Sequence, residues 1–329
     1  MTFEQRVTAI EKEGYTERQA RFLVTVMLHS GVCMVRQYCE FSGIARGQVS
    51  QDFFAELLNR NHASATTDVH SKMRIFHIFC RGLYEAIGEP NNRNRKPTTL
   101  GAAVERLMLL DSVLASRDVE WLATEREKVA HFTRLFGTSM RHSEFPQLTF
   151  GTPPFTTTRF FPDKLPIGVP KDGSRVFTYL VKRPSPIEFR DFLSRHAELL
   201  RALPAWRLRL LVPAHFARAT SIYDAAIREE LMTPLRLSAV DELRWYFEMK
   251  SSGLSIGPGE RERFARAGRA FGAPRYLALY RRWIELGPTA LDAVSSSSLA
   301  DALDRGIGEV EFHVLQHPYF HLRSFVGTA

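Results

Sequence analysis

Two residues of this chain have types and spacing suited to metal chemistry: Asp163, in Phe161-Pro162-Asp163, and Lys182, which ends the run RVFTYLVK. A carboxylate holds a hard divalent cation, and a nearby lysine can orient an attacking water. One carboxylate is not enough, because Mg²⁺ gives up its water reluctantly and seeks further charged oxygens. Two residues before the lysine, on the same face of a strand, a second acid could stand, and the residue there is Leu180. Leucine cannot ligate a metal. Glu188 and Asp191, on the segment that follows, are the acids that could replace it. Asp163 and Lys182 are therefore read as vestigial candidates, with no catalytic residue, metal or cofactor assigned.

The other metal-ligating types are no better arranged. His313, His317 and His321 recur every four residues, but Pro318 interrupts any helix between the last two. The cysteines Cys33, Cys39 and Cys80 match no zinc spacing. An odd number of thiols without a secretory leader predicts reduced, buried side chains rather than a disulfide framework.

A second set of residues suits recognition. The stretch from Gln48 to Arg60 reads QVSQDFFAELLNR. At 100° per residue, Val49, Phe53, Phe54, Leu57 and Leu58 gather on one side of a helix. The opposite side carries Gln48, Gln51, Asp52, Ala55 and Asn59. Short hydrogen-bonding side chains of this kind can read base edges in a DNA major groove. Arg46, Gln48, Ser50, Gln51, Asp52 and Asn59 are the DNA contacts expected from this helix and its approach.

The elements that must position this face are legible around it. Thr16 with Gln19 forms a capping box, and Phe22, Leu23, Val26 and Met27 make the stripe of a helix that Gly31 ends. A short helix over Val35–Phe41, a turn through Ser42-Gly43-Ile44 and the Gln48–Arg60 helix make a helix-turn-helix unit. Asn61 can take the left-handed conformation at the helix end. The runs ASATT and RIFHIF then predict a β-hairpin whose tip carries His70, Lys72 and Arg74, expected on the phosphate backbone. A helix over RGLYEAIG follows. EPNNRNRKPTT, residues 89–99, reads as a proline-marked linker, with Arg93, Arg95 and Lys96 as a basic arm beside the DNA.

With 44% hydrophobic and 24% charged residues, the chain has an ordinary globular composition. Its 329 residues suffice for two domains. A net charge of +8 favours polyanionic partners. No run approaches a membrane span, so a cytoplasmic, nucleoid-associated protein without membrane contact is expected.

Residues 100–136 read as two helices, expected to bridge domains or to form a homodimer contact. The strand-like FTTTRFFPD and RVFTYLVKR, the helix PIEFRDFLSRHAELLRAL, the strand WRLRLLVP and a further helix predict an α/β domain. Beyond residue 240 the chain reads as helical and arginine-rich, from Arg261 to Arg282.

The order of helix, short strand, helix, turn, helix and hairpin over residues 14–88 resembles the winged helix-turn-helix of bacterial regulators. VSQDFFAELLNRNHA is similar to the recognition helix and the step into the wing. The whole resembles the replication-relaxation proteins of plasmids and integrative conjugative elements. That resemblance implies an α+β protein: a winged helix-turn-helix, a helical bridge, and an α/β domain like a degenerate restriction endonuclease with a helical C-terminal tail. The corresponding division is 1–88 for DNA binding, 89–99 for a basic linker, 100–145 for bridging helices and 146–329 for the nuclease-like domain.

The expected function is sequence-specific binding of double-stranded DNA, as a transcriptional regulator or accessory factor of a mobile element and not as an enzyme. A metal-dependent nuclease with a migrated acid and a protein-binding scaffold are the alternatives.

Overall fold

The computed structural model describes residues 1–67, 74–116, 118–152, 155–232, 235, 237–252, 257–295, 298–317 and 319. The fold is mixed α+β. It divides into two compact units, one made of Met1–Thr124 with Val314–Ala329, the other of Glu125–His313.

Unit 1 runs α1 (Phe3–Lys12), α2 (Glu17–His29), β1 (Val32–Cys33), α3 (Val35–Ser42), α4 (Gln48–Asn59), β2 (Ala63–Thr67), β3 (Arg74–Ile78), α5 (Arg81–Ala86), a 3₁₀ turn (Arg93–Arg95), α6 (Leu100–Ala115) and β4 (Glu120–Leu122). Two helices start on reciprocal caps. Thr16 Oγ1 accepts from the Gln19 amide while Gln19 Oε1 accepts from the Thr16 amide, and Thr2 and Gln5 repeat the arrangement. The second cap marks α1, which the charged N-terminal sequence had concealed. β3 lies between β1 and β2, antiparallel to both, with Ala63 opposite Ile78 at the open end of the hairpin and Thr67 opposite Arg74 next to the connection. The core is aromatic: Tyr38 meets Phe53 at 4.4 Å, Phe54 meets Phe76 at 4.3 Å and Phe22 meets Tyr38 at 5.2 Å between ring centroids. Pairs of this kind contribute roughly 0.5–1.5 kcal/mol each beyond their buried area.

Unit 2 runs α7 (Glu125–Phe136), β5 (Gln147–Phe150), β6 (Thr157–Phe160), β7 (Ile167–Val169), β8 (Arg175–Leu180), α8 (Ile187–Ala202), β9 (Trp206–Val212), α9 (Thr220–Ile227), α10 (Leu237–Ser251), α11 (Pro258–Ala270), α12 (Pro274–Leu286), α13 (Ser298–Asp304) and β10 (Gly308–Val314). β5 and β6 form a separate antiparallel pair. In the main sheet the order is β10-β9-β8-β7, with β8 parallel to β9 and antiparallel to β7. Every residue of β8 is buried, as a central strand covered on both faces requires. α8 lies against it through Phe189 and Phe192, whose rings stand 4.8 and 5.2 Å from Tyr179. Gly308 must be glycine: a Cβ there would sit 2.3 Å from the Trp206 ring. Helices α10, α11 and α12 share a second core around Phe247, Leu279 and Trp283.

The expected division is corrected in three places. α6 is no bridge: its Leu110 lies in the core of unit 1 with Phe22 and Tyr84. The second of the two helices read over residues 100–136 begins only at Glu125, because Trp121 stands in β4. The C-terminal tail is not wholly helical, since EVEFHV forms most of β10, whose Glu309 and Glu311 pair with Arg207 and Arg209 of β9 at 3.1 and 2.9 Å.

Candidate nucleic-acid interface

The α3–α4 turn is built by its backbone. Gly43 takes φ 65° at the end of α3, and the Ile44 amide donates to Cys39 O at 3.0 Å. Gly47 then precedes α4 in an extended conformation. The Gly47 amide donates to Ser50 Oγ at 3.2 Å, and Ser50 Oγ donates back to Gly47 O at 2.8 Å. Ser50 is fully buried by these bonds, so it cannot be the DNA contact expected of it.

On α4, Phe53, Phe54 and Leu57 are buried and Gln48, Gln51, Asp52, Ala55 and Asn59 are exposed together. Gln48 Nε2 donates to Asp52 Oδ1 at 2.6 Å, which fixes both side chains one turn apart. Val49 belongs to the open side instead of the apolar one, at 65% exposure. Arg46, in the turn before α4, is exposed. Asn61 has φ 56°, the left-handed conformation expected at the helix end.

The hairpin carries Ser64, Ala65, Thr66, Thr67 and Arg74 to solvent. His70 and Lys72 lie outside the described residues. On β3, Ile75, Phe76 and Ile78 are all buried.

The basic segment after α5 is not a free linker. Asn94 is buried, and its Nδ2 donates to Met27 O and Leu28 O, both at 3.0 Å, occupying carbonyls at the end of α2. His77 Nε2–H donates to Asn94 O at 3.0 Å. Arg95 is half-buried with its Nε on Pro90 O at 3.2 Å. Arg93 and Lys96 are exposed. The alternation of asparagine and arginine that reads as a solvated arm is a pinned turn in which Asn94 points inward.

Sequence reasoning missed a polar network behind α3. Arg36 holds Asp111 of α6 with two bonds, Gln37 Nε2 donates to Asp111 Oδ1 at 2.6 Å, and Arg36 Nη2 donates to Tyr319 Oη at 2.9 Å. His317, from the expected histidine series, pairs with Glu40 at 3.3 Å. His313 is exposed on β10, and His321 lies outside the described residues. Nothing in local spacing joins Tyr319 to residues so far back in the chain.

In unit 2, Asp163 is engaged: its Oδ1 accepts from Arg195 Nη2 at 2.6 Å. Its loop is tight, with Phe161 at φ 48° and Lys164 at φ 58°. Asp163, Thr178 and His196 line a small cavity of about 10 Å³, room for roughly one water. Asp163 Oδ2 and Thr178 Oγ1 are buried there without a hydrogen-bond partner. Lys182 lies beyond the end of β8, exposed, and does not line this cavity. Leu180 is buried at 1% exposure. Glu188 faces Arg183 at 3.5 Å and Asp191 faces Arg281 at 4.0 Å. Burial raises the Asp191 carboxyl to about 6. Among the described residues no three His, Cys, Asp or Glu side chains come together as a metal cluster. Cys33 and Cys39 are buried free thiols and Cys80 is half-buried.

Arg261, Arg263, Arg266 and Arg269 of α11 and Arg281 of α12 are exposed, and Arg282 is half-buried. Arg275 is buried near Glu230, and Arg263 bonds Glu242 while stacking on Trp245 at 3.7 Å. Among the described residues no helix is long and apolar enough to cross a membrane. No protein-family model, curated protein or solved structure matches the chain.

Proposed function

We propose that unit 1 is a winged helix-turn-helix that binds double-stranded DNA in a sequence-specific way. In this reading α4 enters the major groove, and the β2–β3 hairpin lies along the backbone as the wing. The observation that carries the reading is the exposed face of α4. Five neighbouring positions, Gln48, Gln51, Asp52, Ala55 and Asn59, are open, and four of them present amide or carboxylate groups. Amides pair bidentately with adenine and carboxylates accept from cytosine, so the face is chemically suited to base edges. The rigid aromatic layer beneath it, Tyr38 with Phe53 and Phe54 with Phe76, fixes the helix as such readout requires. The net charge of +8 supplies the complementary sign.

The role proposed is that of a regulator or accessory factor of a plasmid or integrative conjugative element. A homodimer would present two such helices to a two-fold site. Unit 2 is proposed to have a nuclease-like layout without cleavage, because Leu180 is core and Asp163 is bound to Arg195. The test is selection of bound duplexes from a random library, followed by footprinting. An enriched motif whose length matches one or two half-sites is the expected result. Recovery of unselected sequence at every round would remove the specific reading.

A further inference from the structure

The 3₁₀ turn at Arg93–Arg95 is held in place from three directions. Asn94 bonds the last carbonyls of α2, His77 of β3 donates to Asn94 O, and Gly31 packs so closely that a Cβ on it would stand 2.2 Å from Asn94 O. Gly31 also has φ 72°, so a side chain there is excluded twice over. Arg106 of α6, half-buried, reaches the same Ser30–Gly31 turn, with Nη1 on Ser30 O at 3.4 Å. Arg93 and Arg106 are thus held at one fixed piece of backbone.

Neither arginine has an ion pair among the described residues. Arg93 stays exposed, yet the protein packed beneath it, and then the neighbouring charge of Arg106, pull its guanidinium down to about 10. Burial also lowers Arg106, while Tyr84 and Glu105 act in the opposite sense. Glu105, beside Arg106 on α6, is the one carboxylate felt there, and it has a further partner of its own. Tyr84 is fully buried, and its hydroxyl has no hydrogen-bond partner. That hydroxyl feels both Arg106 and Arg95. Asn94 Oδ1 is likewise buried without a partner.

Arg106 is therefore bonded to the Ser30–Gly31 turn, and Arg93 belongs to the 3₁₀ turn pinned against it, with no carboxylate paired to either guanidinium among the described residues. Two like charges held together in a partly desolvated place repel, and an anion between them removes the repulsion. Guanidinium forks match the oxygens of a tetrahedral phosphate better than a lone halide.

We infer that Arg93 and Arg106, held at one pinned turn, form a preorganised site for a phosphate group. The inference leans on the DNA reading only for the source of the phosphate: a backbone diester beside the winged helix, or a free phosphate-bearing small molecule. The site itself follows from the pinned turn and from two arginines without an ion pair among the described residues.

The experiment has two arms on the full-length protein, with Arg93→Gln and Arg106→Gln as variants. Arg93 is exposed and makes no hydrogen bond through its side chain among the described residues, so its variant keeps the test valid if Arg106→Gln folds poorly. The first arm titrates inorganic phosphate against sodium chloride of equal ionic strength and follows the unfolding temperature. A site stabilises the wild type as phosphate passes its dissociation constant, and the variants lose that rise. The second arm measures the slope of log K against log salt for a duplex. Each lost backbone contact flattens it by roughly 0.9. A flatter slope in the variants assigns the site to the DNA backbone, with or without free phosphate binding. Phosphate-specific stabilisation abolished by either variant, with an unchanged slope, assigns it to a small ligand. If the slope is unchanged and phosphate stabilises wild type and variants alike or not at all, the site does not exist. Should the wild type bind no duplex at all, the DNA reading fails and the phosphate arm alone decides the site.

Discussion

Arg36 of α3 and Asp111 of α6 face each other in a two-toothed ion pair, with Nη1–Oδ1 at 3.0 Å and Nη2–Oδ2 at 2.7 Å, and Tyr319 closes the pair by donating to Asp111. The pair is only a quarter exposed or less, and the Tyr319 ring also lies 5.5 Å from the Arg36 guanidinium. The helix that precedes α4 is thereby tied to the last described residue of the chain. Asp111→Asn should cost about 2 kcal/mol, since it takes charge-assisted bonds from Arg36 and leaves Glu40, at 3.6 Å, as its carboxylate. Tyr319→Phe should cost about 1 kcal/mol. Urea unfolding of both single variants and the double variant measures the coupling. Costs that simply add would show that the three groups do not act as one network.

Ser50 and Gln51 are adjacent on α4 but face opposite ways, and they should fail differently. Ser50→Ala removes both bonds to Gly47 and should lower stability by about 1 kcal/mol while leaving the preferred DNA sequence unchanged. Gln51→Ala and Asn59→Ala should leave stability alone and cost about 1–3 kcal/mol at one or two base positions. Competition binding with single-base variants of the selected site reads the difference. Equal affinity of wild type and both face variants for every base variant would take α4 out of the groove.

Much of unit 1 is legible because its signals are local. The Thr16–Gln19 cap, the stripe of α2, the left-handed Asn61 and the bounds of α3 and α4 each follow from a few neighbouring residues. The face of α4 is legible from the same periodicity, except at its edges. Ser50 looks like a polar contact but satisfies backbone, and Val49 looks like core but lies at the margin of the buried arc. What escapes the sequence is long-range. Whether Asn94 caps α2, whether Arg106 reaches the Ser30 carbonyl, and whether Tyr319 returns to Arg36 depend on tertiary packing that no spacing encodes. β10 was missed because EVEFHV lies next to helix-forming, charged sequence, and its strand is fixed by pairing with Arg207 and Arg209 of β9.

Unit 2 should lose stability in mild acid. His196 is fully buried and donates through Nδ1 to Phe192 O at 2.9 Å, and burial lowers it to about 4 from an ordinary value near 6.5. A histidine depressed on folding supports the fold above pH 6.5, where it is neutral in both states. Its support is lost as pH falls from 6.5 to 4, because only the unfolded chain takes the proton readily. The shift corresponds to about 3 kcal/mol. His131 acts in the same direction: burial, then the charge of Arg175, lowers it to about 4, and its Nε2 accepts from Arg175 Nε at 2.8 Å only while unprotonated. Asp191 opposes them: raised by burial to about 6, it supports the fold below pH 4 and withdraws that support as pH rises to 6. Two histidines outweigh one aspartate, so net stability should fall between pH 6.5 and 4. Unfolding curves across that range, wild type beside His196→Gln, should converge at the acid end. Parallel curves would mean that His196 is protonated in the folded protein.

The last prediction concerns the residue where a second acid would stand. Leu180 is 1% exposed at the end of a strand buried along its length, in register with Leu211 of β9. A carboxylate placed there enters apolar packing with no cation paired to it, so Leu180→Glu should cost several kcal/mol and should not create a metal site. Asp163 has already given one oxygen to Arg195, and that guanidinium competes with any cation for the carboxylate. The wild type is therefore expected to leave supercoiled plasmid intact at millimolar Mg²⁺ or Mn²⁺, and Asp163→Ala to bind DNA as the wild type does. A nicking assay compares wild type, Asp163→Ala and Lys182→Ala. Nicking by the wild type that vanishes in both variants would mean a working nuclease, and Glu188 or Asp191 would then have to supply the missing acid.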